Sequence, residues 1–252
     1  MDHNDKYRAP ALDKGLDILE LLPSQPSGLT RSEIVKSLGR SPSEIYRMLE
    51  RLVIRGYVNR SLEGDRFSLS IKLFQLGSAF PPIRRLVAQA QPLMDVFSRE
   101  SRQSIHLAVP DLGQTYVVAQ ASGNSAWQFR LRIGAELDLF QTGSGQTLLA
   151  FLSDEERKHL LSLQPESSQK ISADLEKELN HIRKLGHRIQ PSQQLFGLTD
   201  ISVPVFSENE NALGVLTCPF IPRAEGQGKD VEEQMERSLD LLKKTAQKLS
   251  AI

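Results

Sequence analysis

Residues 41–56 constrain the fold more than any other stretch, because they carry both a start signal and a stop signal for one helix. Ser41 is a good N-cap, and Pro42 suits the first helical position, where its missing N–H costs nothing. Glu44 completes a capping box of the form S-x-x-E, and Gly56 predicts the end of the helix. At about 100° per residue, the helix has an apolar face that consists of Ile45, Met48, Leu49, Leu52 and Val53. We expect this face to pack against a core, which leaves the polar face for a partner.

The polar face carries hydrogen-bonding and charged side chains, namely Ser43, Arg47 and Arg51, with Glu44 and Tyr46 at its flanks. A second capping box, from Thr30 to Glu33, starts another helix just upstream, and Gly39 ends it. Two helices joined by a short turn are typical of a helix-turn-helix, whose second helix enters the major groove of DNA. A helical hairpin with no role in DNA binding shares this pattern, so these two helices alone leave both interpretations open.

Two short strand patterns, at residues 57–60 and 66–69, follow these helices and predict a hairpin. A winged helix-turn-helix has its wing at this position, and Arg60 and Arg66 flank the tip. The whole chain is electrically balanced, with 31 basic and 31 acidic residues, yet basic residues outnumber acidic ones between residues 31 and 72. A local excess of positive charge favours contact with a phosphate backbone. The hairpin therefore favours DNA binding.

Several segments of the chain share a pattern with one family. In the DNA-binding part these are residues 11–22, 28–30, 43–52 and 55–58, and further along they are residues 67–77, 137–152, 197–206 and the segment from 214 onward. Together they resemble the IclR (isocitrate-lyase regulator) family of bacterial transcription factors. The resemblance covers residues 9–250. It implies a transcriptional regulator that binds operator DNA as a homodimer or homotetramer and responds to a small molecule, its effector.

We expect the DNA contacts to come from the two helices of the helix-turn-helix and from the wing. The candidate DNA-binding residues are Thr30, Arg31, Ser41, Ser43, Glu44, Tyr46, Arg47, Arg51, Arg60 and Arg66. Arg47 lies opposite the apolar face and is expected to read bases, whereas Arg60 and Arg66 are expected to hold phosphates. Glu44 has three alternative roles: it caps its own helix, pairs with Arg47, or accepts a hydrogen bond from a cytosine. We favour the local roles.

The chain as a whole is predicted to have an α+β fold. The expected division is a flexible arm at 1–9, the winged helix-turn-helix at 10–69, a linker helix and hinge at 70–82, and the effector-binding and oligomerisation domain at 83–252. Pro81 and Pro82 mark the clearest boundary.

Strand and helix patterns alternate in the second domain, and a hairpin signal at residues 110–113 favours a largely antiparallel sheet. Strands are expected at residues 104–109, 114–120, 127–133, 198–206 and 212–221. Helices are expected at residues 83–102, 143–152, 155–163 and 173–185 and at the end of the chain. Because Pro92 lies inside the first of these, we expect a kink or a break near Gln91.

Gly143 and Ser144 begin an apolar helix, so their backbone N–H groups have no acceptor within it and form a candidate anion cradle. A capped helix without a ligand is the alternative. The segment lacks the glycine and lysine positions that a nucleophile elbow or a P-loop requires. The family resemblance implies an effector pocket here, and the other polar and apolar residues that match it are Leu137, Gln190, Asp200 and Thr217. We expect a small organic acid or polar aromatic metabolite. Its hydroxyl or amine would donate a hydrogen bond to Asp200.

Composition excludes several other functions. The 252 residues are 39% hydrophobic and 25% charged, which is typical of a globular protein. No apolar run approaches the roughly 18 residues of a membrane span, and the polar start predicts no secretion signal, so we expect a cytoplasmic protein without membrane contact. Cys218 is the only cysteine and is expected to be a buried, inert thiol. The histidines lack metal-ligand spacing, so we expect no metal or cofactor.

Two rival functions are open at this point. In the first, residues 83–252 catalyse a reaction and the N-terminal domain only localises it; no nucleophile, base or metal set supports this, so we predict that the protein is not an enzyme. In the second, the chain is a DNA-binding scaffold with a vestigial pocket, because Gln146, Asp200 and Pro219 depart from the choices common in the family.

Overall fold

The computed structural model describes residues 9–123, 128–165, 169–207, 210–223 and 229–251. Its chain divides into two compact units, Met1–Pro81 and Pro82–Ile252. The arm expected at the N-terminus lies outside the described residues, except for Ala9.

The first unit is a winged helix-turn-helix, as predicted. Its elements are α1 (Pro10–Leu21), a short 3-10 turn (Leu22–Ser24), β1 (Leu29–Thr30), α2 (Arg31–Leu38), α3 (Pro42–Ile54), β2 (Val58–Arg60), β3 (Arg66–Leu69) and α4 (Lys72–Ala79). The wing strands β2 and β3 pair antiparallel, and β1, which the sequence patterns did not predict, pairs with the other edge of β3.

One hydrophobic core holds the first unit together. The buried residues are Ile18 and Leu22 from α1 and the following turn, Ile34 from α2, Ile45 and Leu49 from α3, and Val58 and Phe67 from the wing. Ile45 and Leu49 are fully buried, and Met48, Leu52 and Val53 pack against the same core. The apolar face predicted for α3 is therefore confirmed.

The second unit is an α+β domain with an antiparallel sheet, again as predicted. Its elements are α5 (Pro81–Ser101), β4 (Ile105–Asp111), β5 (Gln114–Ala121), β6 (Glu136–Leu137), α6 (Gly143–Phe151), α7 (Asp154–Ser162), α8 (Ala173–Leu185), β7 (Arg188–Pro191), β8 (Thr199–Phe206), β9 (Ala212–Phe220) and α9 (Lys229–Ser250). The strand order is β6-β5-β4-β9-β8-β7, and every neighbouring pair is antiparallel.

The two faces of this sheet carry different side chains. One face is apolar and packs on α5 and α9, where Met94, Phe97 and Leu242 meet strand residues such as Leu107 and Leu216. Because successive strand residues point to opposite faces, the neighbouring positions face the other way. These neighbours include His106, Ser202 and Thr217, which are buried and polar. The alternation therefore gathers polar groups on the face that α6 covers.

The strand predicted at residues 127–133 is wrong for the part that the structure describes, since residues 128–133 form no strand. Burial does alternate there, with Phe129 and Leu131 less exposed than Gln128, Arg130 and Arg132. The backbone bonds to β5 begin only at Gly134 and Ala135, which bond to Val117, and continue into β6, where Glu136 pairs with Tyr116. Burial that alternates every second residue shows which side chains face inward. It does not show that the segment pairs with another strand.

The long helix before the sheet is not broken at its proline. Helix α5 runs without interruption from Pro81 to Ser101 and contains Pro92. Its middle and its C-terminal half bury Ala90, Met94 and Phe97 against the sheet, and this packing holds the helix together across the missing hydrogen bond. Cys218 is fully buried, and burial raises the pKa of its thiol, as expected for an inert cysteine.

Candidate DNA-binding surface and effector cavity

The helix-turn-helix is fixed at both helix starts by capping residues. The side chain of Thr30 accepts a hydrogen bond from the N–H of Glu33, and the Glu33 carboxylate accepts from the N–H of Thr30 at 2.7 Å. The Glu44 carboxylate accepts from the N–H and the hydroxyl of Ser41, at 3.2 and 2.7 Å. Gly39 adopts φ 59°, the left-handed conformation that glycine favours at a helix end, and so turns the chain from α2 towards α3.

Two ion pairs tie the turn and the start of α3 to α1. Lys14 donates to Glu44, and Arg40 donates to Asp17 at 3.1 Å. The bond from Lys14, together with those from Ser41, lowers the pKa of Glu44 to about 2. Of the roles weighed for Glu44, the local one is seen, although its basic partner is Lys14 rather than Arg47. Lys14 and Asp17 lie one turn apart on α1, so one face of that helix positions α3.

The outer face of α3 differs in how its side chains are held. Arg31 lies over the ring of Tyr46, with its guanidinium carbon 4.3 Å from the ring centre, so this arginine is already engaged. Ser43 and Arg47 are exposed. Within the described residues, Arg47 has no hydrogen bond and no ion pair, which leaves its guanidinium available to a partner.

The two wing arginines are each anchored. Arg60 donates to the carbonyl of Gly64 at 2.8 Å and lies 3.5 Å from the Glu50 carboxylate. Arg66 donates to the carbonyl of Gly28 at 3.0 Å. Both side chains are about two fifths exposed, at 42% and 44%. The N–H groups that these bonds do not use therefore face solvent.

An apolar groove of about 460 Å³ runs along α1, α3 and α4 of the first unit. Its lining residues are Ala11, Leu12, Gly15, Leu16, Leu19, Met48, Arg51, Leu52, Arg55, Tyr57, Leu73 and Leu76. Leu12 is 61% exposed and Leu76 51% exposed, which is unusual for leucines that line one apolar groove. Arg51 borders this groove rather than the face that carries Arg47.

A cavity in the second unit lies between the sheet, the start of α6 and the loop at residues 192–198. It is lined by His106, Phe129, Leu131, Leu137, Thr142, Gly143, Ser144, Ser192, Gln194, Leu195, Leu198, Asp200, Thr217 and Pro219, and its free volume is about 30 Å³. The candidate residues Leu137, Gly143, Ser144, Asp200 and Thr217 are thus brought together. Gln190 does not line it.

A buried chain of hydroxyl groups forms the polar wall of this cavity. Ser144 Oγ lies 3.1 Å from Nε2 of His106 and 2.8 Å from Oγ1 of Thr217, which lies 2.9 Å from Oγ of Ser202. Burial lowers the pKa of His106 to about 4, so its ring is neutral at physiological pH. Sequence reasoning missed His106. Its signal was a histidine inside an otherwise apolar strand pattern, in register with Thr217 across the β4–β9 pair.

Arg188 is the second residue that sequence reasoning missed, and it carries a buried donor with no partner. Its Nε donates to Gln146 and its Nη2 to Gln190, both at 2.9 Å, whereas Nη1 has no hydrogen bond. Gln190 also donates to Glu178 and therefore holds the arginine from outside the cavity. Arg188 is only 2% exposed and does not line the cavity itself.

The start of α6 brings these charged groups close together. A Cβ at Gly143 would lie 2.9 Å from Ser202 Oγ, 3.0 Å from Cβ of Asp200 and 3.4 Å from Nη1 of Arg188. Only glycine allows this approach. Burial raises the pKa of Asp200, whereas its hydrogen bond with Ser192 and the charge of Arg188 oppose the rise.

Two other kinds of site are not seen within the described residues. Their helices include none that combines the length and the apolar composition needed to cross a bilayer. Their histidine, cysteine, aspartate and glutamate side chains form no cluster of three or more that could hold a metal ion.

Comparison with known families matches both units. Residues 11–61 match the IclR helix-turn-helix domain, and residues 83–251 match the C-terminal domain of IclR bacterial transcriptional regulators. The regulator KdgR of Escherichia coli K12 is 27% identical over 225 residues, which cover 87% of this chain and 84% of KdgR. The repressor IclR of the same organism is 22% identical and covers 82% of this chain and 78% of its own length. These relatives are transcriptional regulators and not enzymes.

Solved structures agree with this family assignment. The IclR protein of Thermotoga maritima superposes with a TM-score of 0.74 at 25% identity and covers 95% of this chain and 97% of its own. An IclR homologue of Microbacterium hydrocarbonoxydans, crystallised with 4-hydroxybenzoate, has a TM-score of 0.75 at 21% identity over 96% and 98% of the two chains. The chain therefore belongs to the IclR family of bacterial transcriptional regulators, with a helix-turn-helix domain that binds DNA and a C-terminal domain that binds an effector.

Proposed function

We propose that this regulator reads operator DNA with Arg47 and grips the DNA backbone around it. The exposed, unpartnered guanidinium of Arg47 is suited to the two acceptors of a guanine in the major groove. The capped helix starts and the wing supply the backbone contacts, through Thr30, Arg31, Ser41, Ser43, Tyr46, Arg60 and Arg66. Because operators lie on the bacterial chromosome, the protein acts in the cytoplasm.

The unit boundaries support a division of labour along the chain. Residues 10–69 bind DNA, residues 70–82 link the two domains, and residues 83–252 bind the effector and contribute to oligomerisation. Two-fold symmetric proteins match palindromic sites, so a homodimer or a tetramer built from dimers is the form that binds the operator. The apolar groove supports self-association in the first unit, because its exposed leucines would be covered by the same groove of a second copy.

The effector is a small organic acid that also carries a hydroxyl or an amine, and it binds in the cavity at the start of α6. The observation that carries this proposal is the unpaired Nη1 of Arg188 beside Gly143, because a buried donor without an acceptor costs stability that a carboxylate bound at the start of α6 recovers. The free backbone N–H groups of Gly143 and Ser144 and the positive end of the α6 dipole favour an anion at the same end of the cavity.

Asp200 decides what else the ligand must carry. As a carboxylate it repels a second carboxylate across a poorly screened cavity, and it accepts a hydrogen bond from a hydroxyl or an amine. The neutral ring of His106 and the hydroxyl chain can adapt their donors to either group. 4-Hydroxybenzoate, the molecule bound by the Microbacterium relative, combines a carboxylate with a hydroxyl in this way. Phe129, Leu131 and Leu137 offer the apolar wall that an aromatic ring needs.

Calorimetric titration of the full-length protein tests this proposal with a panel of hydroxylated and amino-bearing acids, each beside its analogue without that group. 4-Hydroxybenzoate, 4-aminobenzoate and benzoate form one such set. Wild-type protein should prefer the substituted acid, and Asp200→Ala should lose that preference, about tenfold for one hydrogen bond to a charged group. Ser144→Pro, which removes one N–H, should weaken all acids alike.

Ser144→Ala is the matched control, because it removes the hydroxyl and keeps the backbone donor. It should therefore bind acids more tightly than Ser144→Pro. Panel acids that bind Asp200→Ala and Ser144→Pro as they bind the wild type would place the effector elsewhere. Binding of no panel acid, with operator binding intact, would favour the scaffold with a vestigial pocket.

A further inference from the structure

We propose a second ligand site, at the C-terminal end of α5, that takes a small phosphorylated metabolite such as a sugar phosphate or a nucleoside monophosphate. A cleft of about 530 Å³ opens there in the second unit, which is within the range of small-molecule sites. It is lined by Arg99, Glu100, Ser101, Arg102, Gln103, Arg223, Gln234, Arg237 and Ser238. It shares none of these residues with the cavity at the start of α6.

The charge of the cleft is strongly positive in a chain that is neutral overall. Among the described residues, its lining has four arginines and a single carboxylate, Glu100. No ion pair joins Arg99, Arg223 or Arg237 to a described carboxylate. Guanidinium groups that outnumber the nearby carboxylates repel one another, so Arg99, Arg223 and Arg237 gain from a bound anion.

The floor of the cleft is held in place by hydrogen bonds. Gln103 is 5% exposed and clamps Ile221, donating to its carbonyl at 2.9 Å and accepting from its N–H at 3.1 Å. These two hydrogen bonds hold the end of β9 beside the end of α5. Arg223 lies two residues beyond Ile221, so the clamp holds it beside the end of α5, whereas Arg237 comes from α9.

The end of a helix ordinarily disfavours an anion, because its last carbonyl groups carry partial negative charge. Here one of those carbonyls, that of Glu100, already accepts from Arg237 at 3.4 Å, and the carbonyl of Arg102, just past the helix end, accepts from Arg223. Each of these bonds uses one of the five N–H donors of an arginine. The remaining donors, together with the whole guanidinium of Arg99, are available to a ligand.

This arrangement fits a phosphate monoester better than a carboxylate. A carboxylate has two oxygens in one plane, whereas a phosphate monoester presents three oxygens in a tetrahedral arrangement and carries up to two charges. Arginines that come from three separate segments of the chain approach from different directions, which suits the tetrahedral group. Glu100 would accept from hydroxyl groups on the rest of the ligand, which favours a sugar or another polyol as the carrier.

Calorimetric titration of the full-length protein at low ionic strength tests the site with glucose 6-phosphate, glycerol 3-phosphate and adenosine monophosphate. Glucose, glycerol and adenosine are the matched probes without phosphate. At least one phosphorylated probe should bind, and the matched probe without phosphate should not. The double variant Arg99→Gln/Arg237→Gln should weaken that probe about hundredfold, or tenfold for each lost charge-assisted contact. Arg84→Gln, an exposed arginine at the other end of α5, should bind it as the wild type does.

Three results would overturn the site: none of the phosphorylated probes binds, the double variant binds as the wild type does, or sodium sulfate at equal ionic strength displaces the probe completely. A loss of affinity for all DNA in the double variant, without binding of any phosphorylated probe, would assign the cluster to a DNA backbone instead. Titration of organic acids in the double variant separates this outcome from the effector cavity, since the two sites share no residue.

Discussion

At the scale of single residues, the outer face of α3 separates positioning from recognition. Glu44 is held by Lys14 and Ser41, so it fixes the start of the helix, whereas Arg47 extends outward without a described partner. The helical period was sufficient to place Arg47 opposite the core. It was not sufficient to name Lys14, because the partner of Glu44 lies 30 positions away and was set by the packing of α1.

Arg47→Ala should weaken operator binding by about 1–3 kcal/mol and relax the preference for one base pair, because a bidentate contact to a base is lost. Fluorescence anisotropy with operator and scrambled duplexes, measured over a range of salt concentrations, checks this. Arg84→Ala removes the same charge from the second unit and should change neither affinity nor preference. If Arg47→Ala keeps both the affinity and the preference of the wild type, another side chain reads the operator.

The ligand cavity shows how far residue-level prediction reached. The glycine-serine start of α6 and the polar positions Asp200 and Thr217 were predicted, and they meet at one cavity. Arg188 and His106 were not, because each looks ordinary in sequence: one follows a helix end, and the other interrupts an apolar strand. Gln190 was expected in the cavity and instead supports Arg188 from behind.

At the scale of elements, the packing of α6 rests on the absence of a side chain at Gly145, in its first turn. A Cβ at Gly145 would lie 2.5 Å from the carbonyl oxygen of Leu139 and 2.6 Å from that of Asp138, both of which are backbone atoms. The chain before α6 can therefore lie directly against the helix. Sequence patterns predicted the helix and its start, yet this contact depends on how close two backbones approach, which periodicity does not report.

Gly145→Ala should destabilise the second unit by about 1–3 kcal/mol, because the clash is with backbone that has to shift. Differential scanning calorimetry should show a lower melting temperature for that unit. Gly77→Ala is the matched control, since Gly77 lies in α4 with nothing within 4 Å of an added Cβ. It should be neutral or should stabilise its helix by up to about 1 kcal/mol. Equal melting behaviour in the two variants would mean that the α6 contact adapts freely.

At the scale of the whole molecule, each unit has its own core, and each leaves one feature that its own packing does not explain. In the first unit that feature is the apolar groove, with Leu12 and Leu76 more than half exposed. In the second it is the arginine cleft. Composition and periodicity predicted the order of the units and their fold class, whereas surfaces that await a partner are visible only once the cores are known.

Leu12→Glu/Leu76→Glu should weaken self-association at least about tenfold, because carboxylates would have to leave water when the groove closes against a second copy. Sedimentation equilibrium measures this directly. Leu112→Glu is the matched control, since Leu112 is 79% exposed on a hairpin turn far along the chain. Self-association that is the same in all three proteins would exclude the groove as a contact between copies.

The small free volume of the cavity has a consequence for how the sensitivity of this regulator is tuned. About 30 Å³ is the share of one water molecule, so a metabolite at the proposed effector site enters only after the loop at residues 192–198 moves outward. The apparent affinity is then the intrinsic affinity multiplied by the fraction of time that the loop is open. Phe196 is fully exposed on that loop and does not line the cavity. Substitutions there can raise or lower the response threshold of the cell while leaving every contact with the metabolite unchanged.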